Sequence, residues 1–386
     1  MSDLANLGHE MAAWRHDLHR HPEFGFEERR TAAFIADKLR EFGLDVAEGI
    51  GGTGVVGSLT RGSGNRSIAL RADMDALRIN ELGSARYKSI VPGLMHACGH
   101  DGHTSMLLGA ARQLVDEGGF DGTVRFVFQP AEEWGQGARA MLDDGLQRRF
   151  PFEEIYGIHN MPGFPVGEFR TRGGPMMSAE DVFEIVLEGV GGHAARPHAC
   201  KETLVAACAL VVNLQTIVSR RLDPTDTAVV SVTELVTDGT RNVLPGQVRI
   251  LGDARSFNAR VSLEIETQMR LIAECTARAH GVTATIEYRR EFVSLINDDV
   301  LTREALAVAS SIFGQEATVV ADAPITASED FAQFLEHVPG CFAFIGNGED
   351  SAPLHSAMYD FNDAALPAGA AYYAAIARRR LPLTGG

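Results

Sequence analysis

Cysteines are scarce in this sequence, and long apolar runs are missing from it. The 386 residues include five cysteines, an odd and scattered set: Cys98, Cys200, Cys208, Cys275 and Cys341. The first twenty residues, "MSDLANLGHEMAAWRHDLHR", are amphipathic and charged, so they do not resemble an export signal. Cysteines in such a chain are expected to be reduced thiols. With no apolar run long enough to span a bilayer, the sequence predicts a cytoplasmic protein with no membrane partner.

Positive charge is also in short supply. The chain has 35 Lys and Arg residues against 51 Asp and Glu residues, a formal net charge of −16. Phosphate binding requires a basic surface, so this balance argues against a nucleic-acid partner. It does not restrict the choice of a small-molecule substrate, because a locally positive pocket can lie within an acidic protein.

The apolar pattern predicts an α/β fold. Hydrophobic residues make up 45% of the chain, as in ordinary globular proteins, and the length suits two domains. Helices such as "TAAFIADKLREFG", and another predicted to begin near Thr104 as its N-cap, alternate with short buried strands. Alternation of this kind favours a mostly parallel sheet. The predicted strands are "SIALRAD", "TVRFVFQ", "EIYGIHN" and "CFAFIGN".

Residues 179–290 are predicted to have a different order of strands and helices. Their order is strand, helix, strand, strand, helix, strand, which is the pattern of a ferredoxin-like α+β unit. We therefore predict a catalytic domain formed by residues 1–178 and 291–386, with residues 179–290 inserted into it. The first inserted helix, "TLVAACALVVNLQTIVSRR", is apolar nearly all the way round, and a dimer contact would cover its excess apolar surface.

Each of the four predicted strands has, at or just beyond its carboxyl end, a side chain that can bind a metal ion or move a proton. Sites in open α/β sheets form beyond the carboxyl ends of the strands, so these side chains are expected to meet. A buried cluster of this kind is costly unless its members are paired or coordinated to a metal. In strand order, the side chains are Asp73 and Asp75, followed by the loop with Cys98 and His100; Glu132 and Glu133; His159; and His355.

Taken singly, these residues allow other interpretations. Cys98 and His100 are two positions apart and can face one point, although a lone cysteine is usually a small buried hydrophobe. Glu132 and Glu133 could simply favour a helix N-terminus. Alternatively, one of the two binds a metal and the other acts as a general base.

The flanking residues are less specific. His159 and His355, each taken alone, would be called structural. Asp73 either orients a ligand histidine or caps the end of its strand. His96 and His103 lie beside the predicted site and are interpreted as its neighbours or as bystanders.

The whole set of motifs resembles one family. From about Trp14 to the C-terminal helix, the sequence is similar to the metal-dependent amidohydrolases that include hippurate hydrolase, bacterial N-acyl-amino-acid hydrolases and plant indole-acetyl-amino-acid hydrolases, relatives of aminoacylases and carboxypeptidase G. The resemblance implies two divalent metal ions in the catalytic domain and an inserted lid domain that often dimerises. The motifs are "HRHPEFGFEE", "RADMDAL", "MHACGHDGHT", "QPAEEWGQGA", "GIHNMPGFPVG", "GGHAARPH", "NVLPGQV" and "SEDFAQF…LHSAMYDFND".

The resemblance also assigns roles to residues. It implies Glu132 as the general base, and it matches His193, Asn242 and Arg255 to lid positions that contact substrate, with His193 reaching across the dimer. Sulfur ligation favours Zn²⁺, while Mn²⁺ or Co²⁺ suits an oxygen-rich ligand set. Trp134 departs from the small residues that are common beside the base. The implied metal ligands are Cys98, His100, Glu133, His159 and His355.

The predicted reaction is hydrolysis of the amide bond of an N-acyl amino acid of acetyl, benzoyl or indole-acetyl type. Arg255 and Asn242 are candidates to hold the free carboxylate, since an arginine fork fits that group. His193 is a candidate hydrogen-bond donor to the developing oxyanion. Two alternatives use the same site: deamination of an aromatic amine and opening of a cyclic amide. A catalytically inactive metal-binding protein is a third, although it would have no use for Glu132.

Overall fold

The structure is a computed structural model that describes residues 2–383, with the side chains of residues 2–5 excepted. Its chain forms two units. The first contains the chain up to Met176, Ile296–Ala323 and the chain from Glu329 onward; the second contains Met177–Leu295 and Pro324–Ser328. The short return segment at 324–328 was not part of the predicted insertion. Among the described residues, no helix is long and apolar enough to cross a membrane.

The α-helices and β-strands are numbered in chain order. The helices are α1 (Ser2–Arg20), α2 (Arg29–Glu41), α3 (His100–Glu117), α4 (Gly137–Asp143), α5 (Leu146–Arg149), α6 (Thr203–Leu214), α7 (Ala259–His280), α8 (Asp299–Phe313), α9 (Ala332–Leu335) and α10 (Leu366–Arg380). The strands are β1 (Asp45–Ile50), β2 (Gly54–Arg61), β3 (Ser67–Asp73), β4 (Gly122–Gln129), β5 (Glu154–Pro162), β6 (Phe169–Thr171), β7 (Gly174–Met177), β8 (Ala179–Glu188), β9 (Gly192–His193), β10 (Ala228–Thr237), β11 (Val243–Leu244), β12 (Gln247–Ser256), β13 (Thr283–Phe292), β14 (Leu295–Asn297), β15 (Thr318–Val320) and β16 (Gly340–Gly348).

An eight-stranded sheet forms the centre of the first unit. Its order is β1-β2-β4-β3-β5-β16-β6-β15, and the four central strands β4, β3, β5 and β16 are parallel to one another. Strands β3, β5 and β16 are buried along almost their whole length, which explains their continuous apolar sequences. The predicted α/β fold with a mostly parallel sheet is confirmed. The parallel centre brings the carboxyl ends of these strands to one edge.

The second unit carries a four-stranded antiparallel sheet in the order β10-β12-β8-β13, with α6 and α7 packed against it. Along β8, buried residues alternate with partly exposed ones, as expected for a strand covered on one face. The predicted 203–221 helix is interrupted: α6 ends at Leu214 and a π-helical turn follows at Ile217–Arg221. The apolar excess of α6 is visible as the exposed side chains of Val205, Cys208 and Val212.

The helix predicted to begin near Thr104 begins four residues earlier, at His100, so the predicted N-cap is wrong. Gly99 precedes the helix with a φ of 94°, and a Cβ there would lie 2.1 Å from Asn160 Oδ1. Only glycine fits this left-handed turn. The Thr104 hydroxyl instead donates to the carbonyl oxygen of Asp73 (3.0 Å). As a result, His100 and His103 both belong to the first turns of α3 and face the end of β3.

Candidate metal centre

His100 is buried at the start of α3, and its two ring nitrogens have different surroundings. Nδ1 lies 3.1 Å from Asp75 Oδ1, which fixes the plane of the ring. Nε2 is buried without a hydrogen-bond partner among the described residues, and it lies 3.9 Å from Glu133 Oε1. A histidine held at one nitrogen by a carboxylate and free at the other is the usual arrangement of a metal ligand.

His159 is also held at one ring nitrogen, and its other ring nitrogen faces the sulfur of Cys98. His159 Nδ1 lies 2.6 Å from the carbonyl oxygen of Asn160, and its Nε2 lies 3.4 Å from the sulfur of Cys98. Burial, helped by the nearby charge of His103, holds the pKa of His159 well below its usual range, so this ring is neutral as a ligand must be. Burial and the neighbouring carboxylate of Glu133 raise the pKa of the Cys98 thiol. This sulfur therefore requires a cation to become a thiolate.

Glu133 and His355 complete the cluster. His355 Nε2 lies 3.4 Å from Glu133 Oε2. Burial alone would raise the pKa of Glu133, but the hydrogen bond from His355 and the charge of His100 lower it below its usual value. His355 has a φ of 62°, a strained value for a residue other than glycine, and its N–H donates to Ala97 O (2.8 Å). This contact ties the loop of His355 to the loop of Cys98.

The donor atoms form two overlapping groups. Cys98, His100 and His159 have donor atoms within 4.8 Å of one another, and so do Cys98, Glu133 and His355. The sulfur of Cys98 belongs to both. His100 Nε2 and Glu133 Oε1 are buried without hydrogen bonds among the described residues, which is costly unless a cation satisfies them. The residues therefore fit two adjacent divalent ions. That these five side chains bind them stays a prediction.

Glu132 lies beside the donor groups and is surrounded by other acidic side chains. It is buried, and its carboxylate lies within 4.8 Å of those of Glu329 and Asp330. Burial first, then the charges of Glu329 and Glu133, raise the pKa of Glu132 well above its usual value. A carboxylate with a raised pKa binds a proton more readily, as a general base must. Ala131, directly before it, has a left-handed φ of 48°, which bends the chain sharply at this point.

The sequence left open whether Asp73 orients a ligand histidine or caps its strand, and it named no partner for Asp75. Asp75, not Asp73, holds His100, whereas Asp73 lies 2.6 Å from Nδ1 of His103. His103 Nε2 lies 2.7 Å from Asn160 Oδ1 and 2.9 Å from the backbone nitrogen of Asn160, so both of its ring nitrogens are engaged.

His96 is buried, and neither of its ring nitrogens has a hydrogen-bond partner among the described residues. Glu329 and Asp330, from the "SEDF" motif, were quoted in the resemblance but given no role. The sequence signal that could have pointed to their role is the pair of adjacent acidic residues, Glu329 and Asp330, directly before "FAQF".

The predicted substrate contacts lie in the second unit. His193 of β9 pairs with Val243 of β11, and the N–H of Ala194 donates to Asn242 O (3.1 Å), so His193 and Asn242 are close neighbours. Arg255 is already paired: its Nη1 lies 2.8 Å from Glu180 Oε2 and its Nε lies 2.8 Å from Asp253 Oδ1. A substrate carboxylate at Arg255 would have to compete with these two acids.

Trp134 follows directly after the two glutamates. Its side chain is 41% exposed, and Phe24 meets it edge-on with ring centroids 4.9 Å apart. Arg78 lies over the ring of Phe24, with its Cζ 3.9 Å from the centroid. Phe24 also bridges to Ala76, the residue after Asp75. The exposed indole is thus held in place beside the candidate site.

The chain is similar to known proteins in sequence and in fold. The sequence profile of the Peptidase family M20/M25/M40 matches residues 69–379. The chain is 39% identical to the hippurate hydrolase of Campylobacter jejuni over 379 residues, which cover 98% of each protein. It is 38% identical to the N-acetyl-L-cysteine deacetylase of Bacillus subtilis over 357 residues, 92% of this chain and 85% of that protein. Among solved structures, a dinuclear metal binding peptidase of the M20 family from Bacillus subtilis superposes with a TM-score of 0.85 at 31% identity, covering 98% of this chain and 99% of that one.

Proposed function

Because the chain belongs to the peptidase family M20/M25/M40, we propose that it hydrolyses the amide bond of N-acyl amino acids and releases a carboxylic acid and a free amino acid. One observation carries the proposal: a buried carboxylate, Glu132, lies beside two donor groups that share Cys98. A structural metal site has no need for such a base. The named relatives act on linear acyl amino acids, so deamination and cyclic-amide opening are not favoured.

The enzyme uses two divalent metal ions, as the related dinuclear peptidase does. Bound there, the ions would make a water molecule more acidic and would stabilise negative charge on the substrate carbonyl oxygen. We assign their binding to Cys98, His100, Glu133, His159 and His355. The sulfur of Cys98 favours Zn²⁺, and Mn²⁺ or Co²⁺ would suit the oxygen donors.

The protein's own residues move the proton. A carboxylate oxygen of Glu132 accepts a proton from the attacking water as its oxygen bonds to the amide carbon. When the carbon–nitrogen bond breaks, the same carboxyl group returns the proton to the leaving amine. Asp75 keeps His100 in its orientation throughout, since Asp75 Oδ1 lies 3.1 Å from the ring nitrogen that faces away from the donor groups.

For the substrate carboxylate we propose Asn242 and Arg255, on the strength of the family resemblance. For the oligomer we propose a homodimer through the second unit, supported by the exposed apolar face of α6 with Val205, Cys208 and Val212. In that dimer, His193 donates a hydrogen bond to the substrate of the other subunit. The cytoplasmic location predicted from the sequence stays a prediction.

A mixed dimer tests the role of His193. His193→Ala alone should keep its metals and lose about 10²-fold in turnover, the scale of one lost oxyanion donor. In a mixed dimer of His193→Ala with Glu132→Gln, one site receives both lesions and the other receives neither. Two inactive variants should then regain about half of the parent activity per mixed dimer, measured on doubly tagged, purified dimers. Absence of recovery would show that His193 does not act across the dimer.

Trp134 offers a test of the acyl preference. We propose that its exposed ring packs against an aromatic acyl group, because Phe24 holds the indole beside the base. An aromatic pair contributes about 0.5–1.5 kcal/mol, so Trp134→Ala should lower kcat/KM for N-benzoyl amino acids about 2- to 13-fold and leave N-acetyl amino acids nearly unchanged. Leu263→Ala, at an exposed apolar position of α7, is the matched control. Equal losses on both substrates would contradict the proposal.

A further inference from the structure

We propose that Asp330 is a positioning residue that holds the general base Glu132 in place, an inference that rests on the proposed function. The segment from the end of β4 to the start of α4 carries Glu132 and is irregular. It contains the left-handed Ala131 and a single 3-10 turn, Glu132–Trp134, before α4 begins at Gly137. Such a segment does not fix a carboxylate by its own hydrogen bonds.

Asp330 contacts both ends of that segment and its centre. Its Oδ1 accepts from Gln129 Nε2 (2.7 Å) at the end of β4, and its Oδ2 accepts from the N–H of Ala138 (3.0 Å) in the first turn of α4. Its own N–H faces Glu132 Oε1 at 3.4 Å. All three contacts are buried. One side chain thus spans the segment while its backbone touches the base.

Arg71 holds Asp330 in turn. The Arg71 guanidinium is fully buried: its Nη2 lies 3.2 Å from Asp330 Oδ1 and 2.9 Å from Glu329 Oε1, and its Nε donates to Gln129 Oε1 (2.8 Å). Arg71 Nη1 also lies 2.7 Å from Asp73 Oδ2. A buried cation surrounded by Asp73, Glu329, Asp330 and Gln129 fixes their relative positions, because leaving any of these charges unpaired is strongly unfavourable. The "SEDF" motif is therefore locked to the strand end from which Glu132 emerges.

A positioning role differs from a merely structural one in a measurable way. If Asp330 acts through Glu132, its loss has no further effect once Glu132 can no longer take a proton. If Asp330 only stabilises the fold, its loss is independent of residue 132. A double-mutant cycle separates these two cases, because residues that act through one another give non-additive effects.

The experiment uses the metal-loaded enzyme and N-benzoylglycine. Asp330→Asn offers one acceptor and one donor, so it cannot accept from both Gln129 and Ala138. Its kcat should fall about 10- to 100-fold, the scale of a misplacement near 1 Å, with KM and metal content retained. In the Glu132→Gln background, the same change should alter the residual turnover less than 2-fold, measured as product accumulated over long incubation. Asp181→Asn, a buried aspartate of the second unit that accepts from Ser262 and Tyr288, is the matched control and should keep its kcat.

Asp330→Glu guards against a folding defect, since it keeps the charge paired with Arg71 and displaces the carboxylate by one methylene group. It too should lose kcat while keeping metal and thermal stability. The proposal would be overturned if Asp330→Asn lowered turnover by the same factor in the parent enzyme and in the Glu132→Gln background. An unchanged kcat in Asp330→Asn would overturn it as well. Loss of fold or metal in both Asp330 variants would make the residue structural and also overturn it. Full turnover in Glu132→Gln alone would instead contradict the proposed function.

Discussion

Glu132→Gln is expected to retain its fold and its metal ions yet lose about 10²–10⁴-fold in kcat, the usual contribution of a general base. The substitution keeps the shape of the side chain but removes its ability to accept a proton from water. It also takes one acidic group out of a buried cluster that contains Glu329 and Asp330, so the thermal stability of the variant should not fall. Steady-state hydrolysis, metal analysis and thermal unfolding on one preparation check all three expectations.

Glu133→Gln is the matched control, because it makes the same chemical change one residue away. Glu133 Oε2 lies 3.4 Å from His355 Nε2, and its carboxylate belongs to a donor group with Cys98. This variant should lose metal affinity, and excess metal should restore part of its activity. Excess metal should not rescue Glu132→Gln. If Glu132→Gln turned over like the parent, or if the two variants responded alike to added metal, the separation of base and ligand would be wrong.

The fold was largely readable from the sequence because local patterns carry it. "SIALRAD" coincides with β3, and the other three predicted strands lie within observed strands that are one or two residues longer. A continuous apolar run bounded by turn residues leaves little choice for a strand buried on both faces. The convergence of Cys98, Glu133, His159 and His355 followed from the same reasoning, since parallel strands carry their carboxyl ends to one edge.

The hydrogen-bond partners could not be read in this way. Choosing between Asp73 and Asp75 as the partner of His100 depends on side-chain directions around a turn, which composition and spacing do not encode. The start of α3 was misplaced because Thr104 looked like a good N-cap, whereas Gly99 with its positive φ sets the boundary. Asp330 and Glu132 are 198 residues apart in sequence, and their contact depends on how two connections pack at one sheet edge. Long-range packing of this kind leaves no periodic signal.

Removal of the metal ions is expected to abolish hydrolysis, which is the largest loss of activity predicted for this enzyme. His100 Nε2 and Glu133 Oε1 are buried without hydrogen bonds among the described residues, and the burial of Cys98 keeps its sulfur protonated in the absence of a cation. Without metal ions, these ligand atoms therefore cannot bind or activate a water molecule for hydrolysis. Because ligand binding stabilises the folded state, the metal-free protein should also unfold at a lower temperature than the loaded one.

The most direct test of metal-dependent amide hydrolysis is a titration of the chelator-treated, metal-free protein with Zn²⁺, Mn²⁺ or Co²⁺ during turnover of N-benzoylglycine, with both products quantified. The account predicts no benzoate and no glycine from the metal-free protein. It predicts activity that rises to a plateau at two metal equivalents per subunit, with benzoate and glycine formed in equal amounts. Full activity in rigorously metal-free protein, or no release of either product from any N-acetyl, N-benzoyl or indole-acetyl amino acid at full metal loading, would contradict it.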